Sequence, residues 1–189
     1  MMVPRMVGLV MAVALCAGAQ QVNFKENVVD PDPPERPYTK IAGDFNGDGQ
    51  TDIAIGGWKG PLLWYAYPDW TPRMVVTGGY ETVDGEAADL DGDGDLDIVM
   101  GGTYWYENPG PNAIAQAESW TIHLVSKKKM HDVEVGDLDG DGKLDILTRD
   151  QSAFGGPTGN VLYLWKQEGP DSWPGRTLDC PNGEGIRLF

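Results

Sequence analysis

Three stretches of the chain place oxygen-bearing side chains at one spacing: Asp44, Asn46, Asp48 and Asp52, then Asp89, Asp91, Asp93 and Asp97, then Asp137, Asp139, Asp141 and Asp145. In each, these residues hold positions 1, 3, 5 and 9 of a loop whose position 6 is glycine (Gly49, Gly94, Gly142). The chemistry this suits is the binding of a hard cation. Calcium takes about 6–8 oxygen ligands, and alternate side chains of a tight loop point inward to supply them. Glycine allows the sharp turn. Position 7 is Gln50, Asp95 or Lys143, which are neutral, acidic and basic. A position so indifferent to charge fits a ligand that offers only its backbone carbonyl. A single such stretch is a modest signal, because an acidic surface turn looks the same. Three in one register predict calcium sites.

An EF-hand loop ends on a bidentate Glu at position 12 and is flanked by helices. Position 12 here is Ile55, Met100 or Thr148, and each loop runs into a strand-like segment that starts at Asp52, Asp97 or Asp145. The carboxylate at position 9 therefore closes the loop as a strand begins.

The elements that must position these loops repeat with them. The loops start 45 and then 48 residues apart. Aromatic markers recur at Phe24, Trp70, Trp120 and Trp173, and aromatic runs at Trp64-Tyr65, Trp105-Tyr106 and Tyr163-Leu164-Trp165. Glycine pairs at Gly56-Gly57, Gly101-Gly102 and Gly155-Gly156 mark turns. Each unit resolves into four short strands, with the acidic loop joining the first two. The fold class this predicts is all-β, a β-propeller made of four-stranded blades, with about three blades present. The repeats fall at about 38–80, 81–126 and 131–179, with the start of a fourth at 182–189. Residues 20–37 read as a closing strand, placed over 22–30, and a Pro-rich connector. Residues 184–189 align with His131 through Gly136, so a fourth acidic loop is expected next. Propellers have about 4–8 blades. The chain therefore reads as the N-terminal fragment of a longer propeller, with the remaining blades expected from missing C-terminal sequence.

Composition bounds the function. The formal charge of −15 leaves no basic stripe for nucleic acid. Much of the acid sits in the loops, where cations would neutralise it. Residues 1–19 read as a signal peptide: Arg5 is the positive flank, Met6 to Cys16 the apolar run, and Ala17-Gly18-Ala19 the cleavage site. That run is too short to span a bilayer. The expected location is secreted, extracellular or periplasmic. Cleavage leaves Cys180 without a partner in the chain, as a packed small residue or one whose partner lies elsewhere.

The loops, the glycine pair after the second strand and the Trp-Tyr runs resemble FG-GAP/VCBS-type repeats over about residues 22–189. That family includes the integrin α-subunit propeller and many secreted bacterial proteins. The resemblance implies calcium on the side chains at positions 1, 3, 5 and 9, with backbone oxygens from Gln50, Asp95 and Lys143. No Phe-Gly precedes the glycine pair, which departs from the integrin pattern. Family members include adhesive scaffolds, polysaccharide lyases and enzymes of the aldos-2-ulose dehydratase type. The expected function is a secreted calcium-binding module for ligand binding or scaffolding, with carbohydrate or a surface protein as partner. The alternative is the propeller domain of a carbohydrate-active enzyme.

Other candidate chemistry lies at the strand ends away from the loops. His131, Asp132, Arg149 and Asp150 are placed to bind a sugar acid or a second metal, or to form a solvated polar rim. Nearby turns carry Trp58, Lys59, Thr103, Tyr104 and Gln151. Trp58, Trp64, Trp105 and Trp165 stand at repeat positions that suit core packing better than a sugar platform. His123, on an outer strand, is expected at the surface, as is the run Lys127-Lys128-Lys129.

Overall fold

A computed structural model describes residues 25–80, 82–101, 104–128, 130–150, 161–180 and 185–188. The leader expected over 1–19, residues 20–24, Gly102, Thr103, Lys129, Gln151, Gly155, Gly156 and Glu184 lie outside them.

The first sheet comprises β1 (Pro37–Gly43), β2 (Asp52–Gly57), β3 (Leu62–Tyr65) and β4 (Pro72–Val76). The second comprises β5 (Gly85–Ala88), β6 (Asp97–Met100), β7 (Tyr104–Glu107) and β8 (Thr121–Leu124). The third comprises β9 (Asp132–Gly136), β10 (Asp145–Arg149), β11 (Val161–Trp165) and β12 (Gly175–Asp179). Each sheet is an antiparallel meander in chain order. The protein is all-β, and the described residues contain no α-helix. Among them, accordingly, no helix is long and apolar enough to cross a membrane.

The second sheet is covered on both sides, and its sequence shows why. Along β6 every residue is buried, as a strand covered on both faces requires. Its side chains alternate between two cores. Ile98 and Met100 pack with Ile41, Ala54 and Trp64 of the first sheet. Val99 and Trp105 pack with Val133, Ile146 and Trp165 of the third. Across sheets, β5 lies against both β1 and β9. Gly85 makes that approach possible, because a Cβ there would lie 2.7 Å from Ile41 Cδ1 and 2.9 Å from Met100 Sδ.

Trp64, Trp105 and Trp165 are buried, as core residues at a repeat position should be. Trp58 differs: the turn after β2 carries it out to solvent, where it meets Tyr38 edge-on at 6.1 Å. Residues 25–36 form no strand. They lie instead on the first sheet, where Tyr65 Oη donates to Asp30 Oδ2 at 2.7 Å and Pro34 packs against Gly57. Cys180 is free and half-buried, 3.7 Å from an Arg149 guanidinium nitrogen.

Candidate metal loops

Each acidic loop closes the hairpin between the first two strands of its sheet. The register pairs Gly43 with Asp52, Ala88 with Asp97 and Gly136 with Asp145. Position 9 thus sits opposite the last residue before the loop. Within the loop, the position 1 carboxylate gathers backbone amides. Asp44, Asp89 and Asp137 accept from the position 6 glycine N–H at 2.7, 3.1 and 3.0 Å. Positions 3 and 5 each accept from the amide two residues on, at 2.8–3.2 Å. Both glycines of each loop take positive φ: +71° and +82°, +80° and +98°, +79° and +88°. Position 4 (Gly47, Gly92, Gly140) therefore needs glycine as much as position 6 does.

Position 9 does something different. Asp52, Asp97 and Asp145 are fully buried. One oxygen accepts from the position 2 amide of Phe45, Leu90 or Leu138, at 3.3, 2.9 and 3.1 Å. The other accepts from the amide of Tyr67, Asn108 or Gln167, just past the third strand, at 2.9, 2.8 and 3.0 Å. Each of these carboxylates ties its loop to two strands of its sheet. Burial pushes the Asp97 carboxyl up to about 7, against the pull of the Asn108 and Leu90 amides, and it raises Asp52 in the same way.

Two loops bring three carboxylates to within 4.8 Å of one another: Asp89, Asp91 and Asp93, and Asp137, Asp139 and Asp145. An ionised carboxylate has about four lone-pair sites. One to three amide bonds, three at Asp137, therefore leave room for a cation, and the all-oxygen donor set fits a hard divalent ion. In the first loop position 3 is Asn46, whose Nδ2 donates to Asp48 Oδ2 at 3.2 Å. In the third, the Lys166 ammonium pairs with Asp139 and, at 3.0 Å, with Asp141. The Lys166 hydrogen bond holds the Asp141 carboxyl below its usual range. At position 7 of the third loop, Lys143 Nζ turns to the Glu168 carbonyl at 3.4 Å.

Sequence reasoning missed two amides that link neighbouring loops. Asn108 Nδ2 donates to the Phe45 carbonyl at 2.8 Å, and Gln167 Nε2 to the Leu90 carbonyl at 2.6 Å. Each thus locks the position 2 residue of the preceding sheet's loop. The available signal was an amide two residues past the aromatic runs ending in Tyr106 and Trp165. His123 is a correction, because it is buried rather than at the surface. It stacks on Trp105 at 4.1 Å, with Nε2 2.8 Å from Glu107 and Nδ1 2.9 Å from Asp171 of the third sheet. Burial alone would lower its pKa, but the two carboxylates outweigh that and raise it.

The His131 group is brought together but used internally. His131 Nδ1 lies 2.7 Å from Asp132 Oδ1, Asp132 Oδ2 accepts from the Gly185 amide at 3.1 Å, and Arg149 is buried. Lys127 and Lys128 are exposed, and Lys128 lies 4.7 Å over the Tyr163 ring.

Among solved structures, the crystal structure of the V. cholerae biofilm matrix protein Bap1 aligns with a TM-score of 0.47 at 19% identity, covering 70% of this chain. The alignment spans 19% of that longer chain. No curated protein matches. The FG-GAP-like repeat model matches residues 44–100, from the first residue of the first loop to the last residue of β6. The chain therefore carries an FG-GAP-like repeat, and the match takes in both the first and the second acidic loop.

Proposed function

We propose that this chain is a secreted β-propeller module whose three loops hold calcium, and that it serves in binding or scaffolding. The observation that carries the reading is the pair of carboxylate trios within 4.8 Å, one in each of two equivalent hairpin loops and sharing positions 1 and 3. The blade arrangement is supported by three meanders whose first strands are neighbours, β1 beside β5 beside β9. A ring needs about four blades or more, so further sheets complete it. Export is supported by the leader-like residues 1–19. The side chains that would hold calcium are Asp44, Asn46, Asp48 and Asp52 and their counterparts in the other two loops. Binding is favoured over catalysis because Asp132 and Arg149, the polar groups best placed for chemistry, are engaged or buried.

Extracellular calcium modules bind with Kd of about 10⁻⁴–10⁻³ M. At ten times Kd each site adds about 1.4 kcal/mol, and three sites add roughly 4 kcal/mol. For a chain of this size that raises Tm by about 8–16 °C. Thermal melting of the folded chain in millimolar calcium and in chelator tests this. Equal melting temperatures in the two conditions would show that the loops do not hold calcium.

A further inference from the structure

One register position sets the charge beside each loop. The residue after position 9 pairs with the third strand as Ile53 with Tyr65, Ile98 with Tyr106 and Ile146 with Trp165. The next residue along that strand is Ala66, Glu107 or Lys166, which are neutral, acidic and basic. Position 7 of the loops follows the same order, with Gln50, Asp95 and Lys143. The second loop thus collects five aspartates, with Glu107 at the neighbouring register position, where its Oε2 also meets His123 Nε2 at 2.8 Å. The third sets four aspartates against two lysines, and one of these, Lys166, contacts both Asp139 and Asp141. The first has three aspartates and neutral residues at both positions. In the third loop Lys166 thus holds Asp139, a member of the carboxylate cluster, together with Asp141, whereas among the described residues no lysine pairs with Asp89, Asp91 or Asp93 of the second.

We infer that the three loops are a graded series of divalent-cation sites, the second tightest and the third weakest. Lys166 is an internal ammonium that an entering cation must displace from Asp139 and Asp141. This rests on the reading of the loops as calcium sites. Between an ammonium and a divalent ion about 4 Å apart, Coulomb's law at the dielectric of water gives at least a tenfold effect on affinity. Salt reduces it over a Debye length of about 8–10 Å, which the contact lies within.

Calorimetric titration of the full chain with calcium chloride tests the series. The wild type is expected to show sites of unequal affinity. Lys166→Gln should tighten the weakest site about tenfold, and Lys143→Gln should tighten it by a smaller factor because its ammonium reaches the Glu168 carbonyl rather than the carboxylates, with the tightest unchanged. Glu107→Gln should loosen the tightest and spare the weakest. Lys166→Gln should also lower Tm in chelator, where the ammonium bridges the loop, and lose that deficit in saturating calcium. A wild type that binds no calcium overturns the underlying reading of the loops. Calcium binding with every affinity unchanged in both lysine variants overturns the gradation alone. Lysine 166 acting only as a structural tie would lower Tm equally in both conditions, which also overturns the gradation. Because Lys143 is exposed, its variant keeps the test open if Lys166→Gln does not fold.

Discussion

Replacing Asp97 by Ala separates the structural work of position 9 from cation binding. Asp97 is buried, and its two oxygens accept from the Leu90 amide at 2.9 Å and the Asn108 amide at 2.8 Å. The substitution leaves two buried N–H groups without partners. Each unpaired donor costs about 1–3 kcal/mol, so the loss is about 2–6 kcal/mol, with no metal involved. That is a large part of a typical stability of about 5–15 kcal/mol. Asp97→Asn keeps one acceptor oxygen and turns an NH₂ toward the other amide, so about half the loss is expected. Asp93→Ala, at the exposed position 5, is the control, since it removes one solvent-accessible acceptor and should cost less than about 1 kcal/mol. Urea denaturation in chelator at about pH 8 measures all three variants. That pH lies above the value of about 7 to which burial pushes the Asp97 carboxyl. A loss below about 1 kcal/mol for Asp97→Ala, or an equal loss for Asp93→Ala, would refute the assignment of position 9 as an anchor.

Three other outcomes can be measured on the same chain. Gly92→Ala should cost about 1–2 kcal/mol from backbone strain alone, since φ is +80° and nothing lies within 4 Å of the new Cβ; a denaturation curve matching wild type would contradict this. Trp105→Ala should cost about 3–5 kcal/mol, because the indole is fully buried between the second and third sheets and Nε1 donates to the Pro170 carbonyl at 3.0 Å. His123→Gln tests the cross-sheet pin by pH. The raised imidazole pKa means its stabilisation is fully present below the ordinary value of about 6.5 and is lost as pH rises through the folded value. The Tm gap between wild type and variant should therefore narrow as pH rises above about 6.5, and a gap independent of pH would remove the charge from the account.

The hairpin loops were legible because their chemistry is local. Spacing of Asp and Gly within nine residues states both the donor set and the turn, and an aliphatic run after each loop states the strand. The four-strand period was legible because aromatics such as Trp64, Trp105 and Trp165 recur with it. What depended on long-range partners was not. Asn108 and Gln167 bond carbonyls 63 and 77 residues away, and no local pattern announces such a bond. His123 was misplaced because an outer strand suggests solvent. Its burial comes from Trp105 on its own sheet and Asp171 on the next, which only packing brings together. The pairing of Lys166 with Asp139 spans 27 residues and depends on the register of β11 with β10, which a sequence alone leaves open.

The loops and the sheets are coupled at a single residue type. Positions 1, 3 and 5 largely face solvent, and their amide bonds organise the loop internally. Position 9 reaches into the sheet, so the mouth of each loop is fixed by buried bonds that a cation does not supply. Removal of calcium should then loosen the exposed arc between positions 1 and 8 while leaving the strands paired. The amides of Asn108 and Gln167 carry the tie onward, since each holds the residue beside position 1 of the preceding loop. A cation bound in one loop would thus stiffen the contact that seats the next sheet. Calcium on this reading raises stability by increments, one loop at a time, and the cores around Trp64 and Trp105 set whether the sheets stack at all.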